Sequence, residues 1–374
     1  MKIEELKDKT VLVRLDFNVP VQNGKIKDAK RILNSKKTID LLAQNNCKVV
    51  LISHYKRPKN KEKELSFQNI LTQIEDLLGV KIIFSVLEDA KESLKNMQNG
   101  SLLMLENIRF YKEEEQNELS FAKKLASLGD FYVNDAFSVC HRSHASVVGI
   151  PKFLPSLIGF SCQAEVDALS KINTSKKSVA IVGGSKISGK LPLIFALLKK
   201  VDKVIVGGAL VNTILKKQGF QIGHSLYEEV DFNLDLKNIF VPFDFVTSAG
   251  LEDNNLHIVD MRDIPKQEMI LDIGPASVIA IKNIIQDYDT IFWNGPLGAF
   301  EHPPFDAATI KVARAISFLT KTKGAQSILG GGDTSSAVSG FDELKFSYVS
   351  SAGGAFLKFL EEGGLVGLDA VYTS

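Results

Sequence analysis

Short β-rich apolar runs alternate with longer stretches of helical spacing from one end of this chain to the other, and few folds accept that pattern. The runs in the first half are 10–15, 48–53, 81–84, 102–105 and 131–133. Those in the second half are 179–182, 203–206, 239–246, 269–273, 290–293, 327–329 and 347–349. Between them lie amphipathic segments such as 70–78, 121–128, 191–199 and 309–319. Strand, helix, strand in succession closes into a parallel sheet covered on both faces, so the expectation is an α/β fold with doubly wound parallel sheets.

At 374 residues the chain exceeds the size at which one core stops growing, so two domains are expected. The alternation breaks at 151–155, and 159–172 then reads as one helix without a strand. Glycine is sparse before Gly149 and clustered after it. A formal net charge of +1 supplies no global field for nucleic acid or membrane, so any anion site must be a local cluster. Three widely spaced cysteines without a CxxC pair fit a reducing compartment. MKIEELKDKT carries no apolar secretory core, and no run approaches the ~18 apolar residues of a membrane span. The expected location is the cytoplasm.

In parallel α/β sheets, ligands sit beyond the carboxyl ends of the strands. Asp16 and Asn18 follow the first run, His54 and Arg57 the second, Asn107 and Arg109 the fourth, and Asn134, Asp135, His141 and Arg142 the fifth. Arg31 opens the first helix. One such arginine is ordinarily a surface or salt-bridge residue. Four, with two histidines at corresponding positions, match a small multiply anionic ligand through bidentate guanidinium contacts. The i,i+3 pair His141/His144 lacks an acid partner at ligand spacing and encloses Arg142, which disfavours a metal there.

The second half carries a different chemistry. SVAIVGGSKISGK is a strand running through glycines into a helix, which aims backbone N–H groups at phosphate. Leu191 stands where a P-loop needs Ser or Thr, so a P-loop is disfavoured. Lys186 and Lys190, four apart, are expected to project together from the first helical turn. In ILGGGDTSSAV three glycines permit close backbone approach by a ligand, leaving Asp333 free to hold Mg2+ on nucleotide phosphates. WNGPLGAFE adds a rigid turn and a carboxylate within reach of a ribose. Neither G-x-G-x-x-G nor G-x-S-x-G occurs, which disfavours a dinucleotide-binding dehydrogenase and an α/β-hydrolase.

VLVRLDFNVP, LENIRFYKEEE, YVNDAFSVCHRSHAS, GGSKISGK, WNGPLGAFE and GGGDTSSAV together resemble the phosphoglycerate kinase family, in its order and spacing, from about Lys9 to Ala370. The resemblance implies two six-stranded Rossmann-like domains facing a cleft and joined by a helix. The expected limits are 1–156 for the substrate domain, with tail 355–374 returning to it, and 157–354 for the interdomain helix and nucleotide domain. It implies reversible transfer of the acyl phosphate of 1,3-bisphosphoglycerate to Mg-ADP, giving 3-phosphoglycerate and Mg-ATP, in line and on domain closure, by a monomer. By motif match Asp16, Asn18, Arg31, His54, Arg57, Arg109 and Arg142 bind the glycerate. Lys186 and Asn294 take nucleotide phosphate, Lys190 the phosphoryl in flight. Gly184, Gly207, Gly208 and Pro296 line the adenine slot, and Glu301 reaches the ribose. Asp333 holds Mg2+, with N–H groups of Gly331, Gly332 and Thr334 at the transferring phosphate. Arg31, Lys190, Gly331 and Gly332 are the expected catalytic groups. Neither acceptor needs a general base, because carboxylate and ADP oxygens are already ionised.

The chain departs from the family pattern at Gly189, where Asp is usual, at Tyr55 and Lys56 in the usual SHLGRP, at Ser138 for a glycine, and at Ala352 for another. None removes a basic ligand or Asp333. The competing readings are a non-catalytic nucleotide-binding relative and a kinase for a different small acid.

Overall fold

The computed structural model describes residues 2–174, 177–253 and 255–374. It separates into two compact units, Met1–Val166 with Gly363–Ser374, and Asp167–Glu362.

In the first unit the strands are β1 (Thr10–Arg14), a small antiparallel hairpin β2 (Val21–Gln22) and β3 (Lys25–Ile26), then β4 (Lys48–Ile52), β5 (Ile82–Ser85), β6 (Leu102–Leu105), β7 (Phe131–Asn134) and β8 (Ser156–Ile158). Six of them form one parallel sheet ordered β5-β6-β4-β1-β7-β8. The period-2 pattern of β1 decides its two faces. Val11, Val13 and Leu15 join Ile39 and Leu42 of helix Lys30–Gln44 and Ile74 and Leu78 of helix Leu71–Leu78. Leu12, with Val50 and Ile52, joins Phe121 and Leu125 of helix Leu119–Ala126 and Val371 of the terminal helix Val366–Tyr372. Strand order reverses between β1 and β7, so their carboxyl ends frame the crevice where ligands bind in such sheets.

The second unit contains β9 (Ser178–Val182), β10 (Lys203–Val206), β11 (Ile239–Phe240), β12 (Asp244–Ser248), β13 (His257–Asp260), β14 (Met269–Ile273), β15 (Thr290–Asn294), β16 (Gln326–Gly330) and β17 (Tyr348–Val349). Its parallel sheet runs β11-β10-β9-β15-β16-β17, with the reversal between β9 and β15.

Three expectations change. The run 239–246 is two strands, broken around Pro242, whose missing N–H cannot continue a ladder. Its second part, β12, lies between β13 and β14 in a separate antiparallel sheet, so 244–248 and 269–273 are not in the parallel layer. Residues 355–362, expected with the returning tail, pack in the second unit. There Phe356 stacks on Phe292 at 5.5 Å between ring centroids and Lys200 Nζ donates to the Leu360 carbonyl at 2.6 Å. Strand β8, in the interruption after Pro155, is too short for its pattern to be read from sequence. Among the described residues no helix is long and apolar enough to cross a membrane.

Candidate functional site

In the first unit the residues after β1, β4, β6 and β7 meet. Arg31 Nη1 lies 3.0 Å from Asp16 Oδ2 and donates to the Asn18 carbonyl at 3.1 Å. Asn18 Oδ1 accepts the Lys56 amide at 2.8 Å, and the Lys56 carbonyl accepts Arg109 Nη1 at 2.6 Å. These bonds run from one strand-end loop to the next, fixing the cluster through backbone as much as side chain. Buried Asn107 braces it, donating to the carbonyls of Tyr55 and Leu65 and accepting the amides of Tyr55 and Arg109. Asn107 and Asn134 are therefore occupied within the fold; Asn134 accepts the Ala136 amide.

Positive charge accumulates here. Burial first, then Arg14, Arg109, Arg142 and Arg31, press the His54 imidazole well below its usual range, so it is neutral at pH 7. Arg14 Nη2 faces His54 Nδ1 at 3.3 Å. A guanidinium only donates, so Nδ1 accepts and the ring proton sits on Nε2. Arg109 is pushed down to about 10 by burial and by Arg142 and Arg14. Burial also lowers His144, to about 4. Arg109 Nη2 and Arg142 Nε are buried without a hydrogen-bond partner among the described residues. Arg57 is exposed.

Arg14 itself was missed by sequence reading. It is fully buried, and its Nε donates to Ser146 Oγ at 2.8 Å. Ser146 in turn gives its hydroxyl and amide to the Glu114 carboxylate at 2.6 and 2.8 Å. Burial raises the Glu114 carboxyl against the pull of Arg14. The signal was present: an arginine inside the apolar run TVLVR is out of place unless paired.

The second unit builds its surface from backbone. Beyond β9 and β15 the Gly183 amide donates to the Asn294 carbonyl at 2.8 Å and the Gly184 amide to the Pro296 carbonyl at 3.1 Å. Gly208 has φ +64°, and a Cβ there would meet Gly184 backbone at 2.6–2.7 Å, so no other residue fits without displacement. The result is a cavity of about 480 Å³ lined by Gly184, Gly208, Pro296, Glu301 and Asp333 with Leu226, Phe245, Leu251, Met269, Leu271 and Phe300. Its floor includes Asp272, whose oxygens accept the Ile273 and Ala308 amides at 2.9 Å each. Burial pushes that carboxyl up to about 8.

Beside the cavity, Lys190 Nζ donates to Asn294 Oδ1, and Asn294 Nδ2 donates to the Gly330 carbonyl at 2.7 Å. The Thr334 hydroxyl donates to the same carbonyl at 2.8 Å and accepts the Gly295 amide at 2.6 Å. Burial lowers the Lys190 ammonium, opposed by Asp333 and Glu361. Two of the three glycines have a steric reason. A Cβ at Gly330 would strike the Phe356 ring, Gly331 adopts φ +96° against Asn294, and only Gly332 faces open space.

Two expected placements differ. Helix Leu191–Leu198 starts after both lysines, with Pro192 in its first turn, so Lys190 is the residue before the helix and Lys186 lies in an irregular exposed segment. They do not share a helical turn. Gly207 is buried against Leu297 and does not line the cavity.

A family model described as phosphoglycerate kinase matches residues 1–363. Relatives named phosphoglycerate kinase include that of Bartonella tribocorum, 42% identical over 97% of this chain and 96% of the relative. That of Wolbachia pipientis subsp. Culex pipiens is 41% identical over 96% of each. Among solved structures, the phosphoglycerate kinase of Coxiella burnetii has TM-score 0.88 and 35% identity, covering 98% of this chain and 97% of that one. That of Pyrococcus horikoshii OT3 has TM-score 0.83 and 28% identity, covering 98% and 96%. With the family model spanning nearly all its residues, the chain belongs to the phosphoglycerate kinase family.

Proposed function

We propose that the arginine cluster of the first unit and the glycine-walled cavity of the second divide the family's reaction between them: reversible transfer of the acyl phosphate of 1,3-bisphosphoglycerate to Mg-ADP. The cluster takes the glycerate. Buried guanidinium N–H groups without acceptors are costly, and Arg109 Nη2 and Arg142 Nε, with no hydrogen-bond partner among the described residues, are the observation that carries this assignment. Arg31, Arg57, Asp16 and Asn18 complete the glycerate ligands, and His54, neutral, offers its Nε2–H as a hydrogen-bond donor rather than a charge.

The cavity takes the nucleotide, with apolar walls and glycine backbone for the base and Glu301 for the ribose. The family's nucleotide substrate carries magnesium. Among the described residues no three His, Cys, Asp or Glu side chains cluster. One or two carboxylates plus phosphate oxygens suit Mg2+, and Asp333, which lines the cavity, would supply such a ligand. Lys190 and Arg31 neutralise charge on the equatorial oxygens of the phosphoryl, joined by N–H groups of Gly331, Gly332 and Thr334. Lys186 and Asn294 hold nucleotide phosphate. Domain closure brings the two ligands into line and expels water. All three cysteines are buried and free, which fits a cytoplasmic enzyme.

A coupled assay of ATP formation from 1,3-bisphosphoglycerate and ADP tests the reading. Turnover that disappears without magnesium is expected. Nucleotide binding without turnover would mark a non-catalytic relative, and turnover only with another acyl phosphate a different kinase.

A further inference from the structure

We infer that Ser138 is a working part of the glycerate site, orienting the Asp16 carboxylate so that one acceptor position alone remains for the substrate's hydroxyl. The inference rests on reading the first unit's cluster as that site. Ser138 lies in the turn Phe137–Val139 after β7, and Asp16 follows β1, so the contact pins the two loops flanking the reversal of strand order. A glycine, which the family pattern has here, supplies no donor.

A phosphorylated three-carbon acid offers phosphate and carboxylate oxygens, which only accept, and one hydroxyl at C2, which donates. Asp16 sits among cations that take the anionic groups, so its carboxylate matches only that hydroxyl. Ser138 Oγ donates to Asp16 Oδ2 at 2.5 Å, in the range of a charge-assisted bond. Arg31 Nη1 lies 3.0 Å from the same oxygen, and the Asn18 amide donates to Oδ1 at 3.2 Å. An ionised carboxylate has about four lone-pair positions. With Ser138 and Arg31 both on Oδ2, the open position is on Oδ1. Ser138 thus acts as a positioning residue: it stops Asp16 turning about its χ2 and holds the partner of Arg31.

The test is titration calorimetry on the full-length protein without nucleotide, using 3-phosphoglycerate and the same acid lacking the 2-hydroxyl. Ser138→Ala is expected to weaken 3-phosphoglycerate by about three- to tenfold and to leave the deoxy acid unchanged. Ser138→Thr, which keeps the hydroxyl, restores the affinity. Equal loss for both acids, or no loss for 3-phosphoglycerate, overturns the role of Ser138. Asp16→Asn separates the two levels of the argument. If it leaves 3-phosphoglycerate binding intact, Asp16 is no ligand and the glycerate-site reading itself fails at that residue. A thermal unfolding curve for Ser138→Ala that overlays the parent's is the expected control; an altered one with parallel loss for both acids counts against positioning.

Discussion

On the assignment proposed above, the two units solve anion recognition in opposite ways. The first uses long charged side chains at strand ends, with Arg31 and Arg109 held by carbonyls and carboxylates of neighbouring loops and Arg142 Nε left without an acceptor among the described residues. The second puts no cation in its cavity wall; Gly184, Gly208 and Pro296 bring backbone to the surface beside Glu301 and Asp333, and Lys190 is held beside it on Asn294. A small, densely charged acid needs directed donors. A nucleotide has a flat base that needs a slot, and only its phosphates need charge. The side-chain site is therefore fragile to single truncations, and the backbone site to added volume.

The sharpest way to break that contrast is kinetic. Arg31→Ala should lower kcat on the order of 10²-fold or more, as loss of one transition-state donor does elsewhere. Glu301→Ala, on the nucleotide side, should raise the KM for ADP with kcat little changed. Steady-state rates against both substrates measure each. An effect of Arg31→Ala confined to KM would make it a uniform binding residue and erase the distinction.

Stability against pH separates the units next. Asp272 titrates near 3.8 in the unfolded chain and at about 8 in the fold, because burial disfavours its charge. Between those values the folded state holds the extra proton, so stability falls as pH rises and levels off above about 8. The slope is at most about 1.4 kcal/mol per pH unit. Trp293, the sole tryptophan, is buried in β15, so its fluorescence in denaturant titrations at pH 6 and 8 reports this unit. Asp272→Asn should flatten the difference. In the first unit His54 and His144 contribute with the reverse sign, opposed by Asp135, which burial raises to about 6 and which acts in the same direction as Asp272. Both imidazoles stay neutral in the fold below the unfolded value of 6.5, so their contribution is complete above 6.5 and lost as pH falls below it.

The smallest expected effect concerns Lys56, whose backbone adopts φ +54° where the family pattern has glycine. Lys56→Gly should raise the stability of the first unit by about 0.5–1 kcal/mol, relief of left-handed strain being partly offset by entropy of the unfolded chain. Hydrogen exchange of the β4 amides checks it. The site bonds of Lys56 come from its amide and carbonyl, so the KM for the glycerate should hold.

The alternation of strand and helix, the division into an arginine-bearing half and a glycine-bearing half, and the family motifs were all legible in the sequence. Each is carried by residues close together in the chain, where period and spacing follow from local geometry. Tertiary structure alone decided the rest. Asp16 receives Ser138 from 122 residues away, His54 receives its tautomer from Arg14, and Asp272, raised by burial, accepts the amide of a helix start 36 residues later. The pairing of 244–248 with 269–273 outside the parallel sheet is of the same kind. Period tells which face of an element is apolar but not which distant backbone it will meet, and burial, charge state and hydrogen-bond partner are all properties of that meeting.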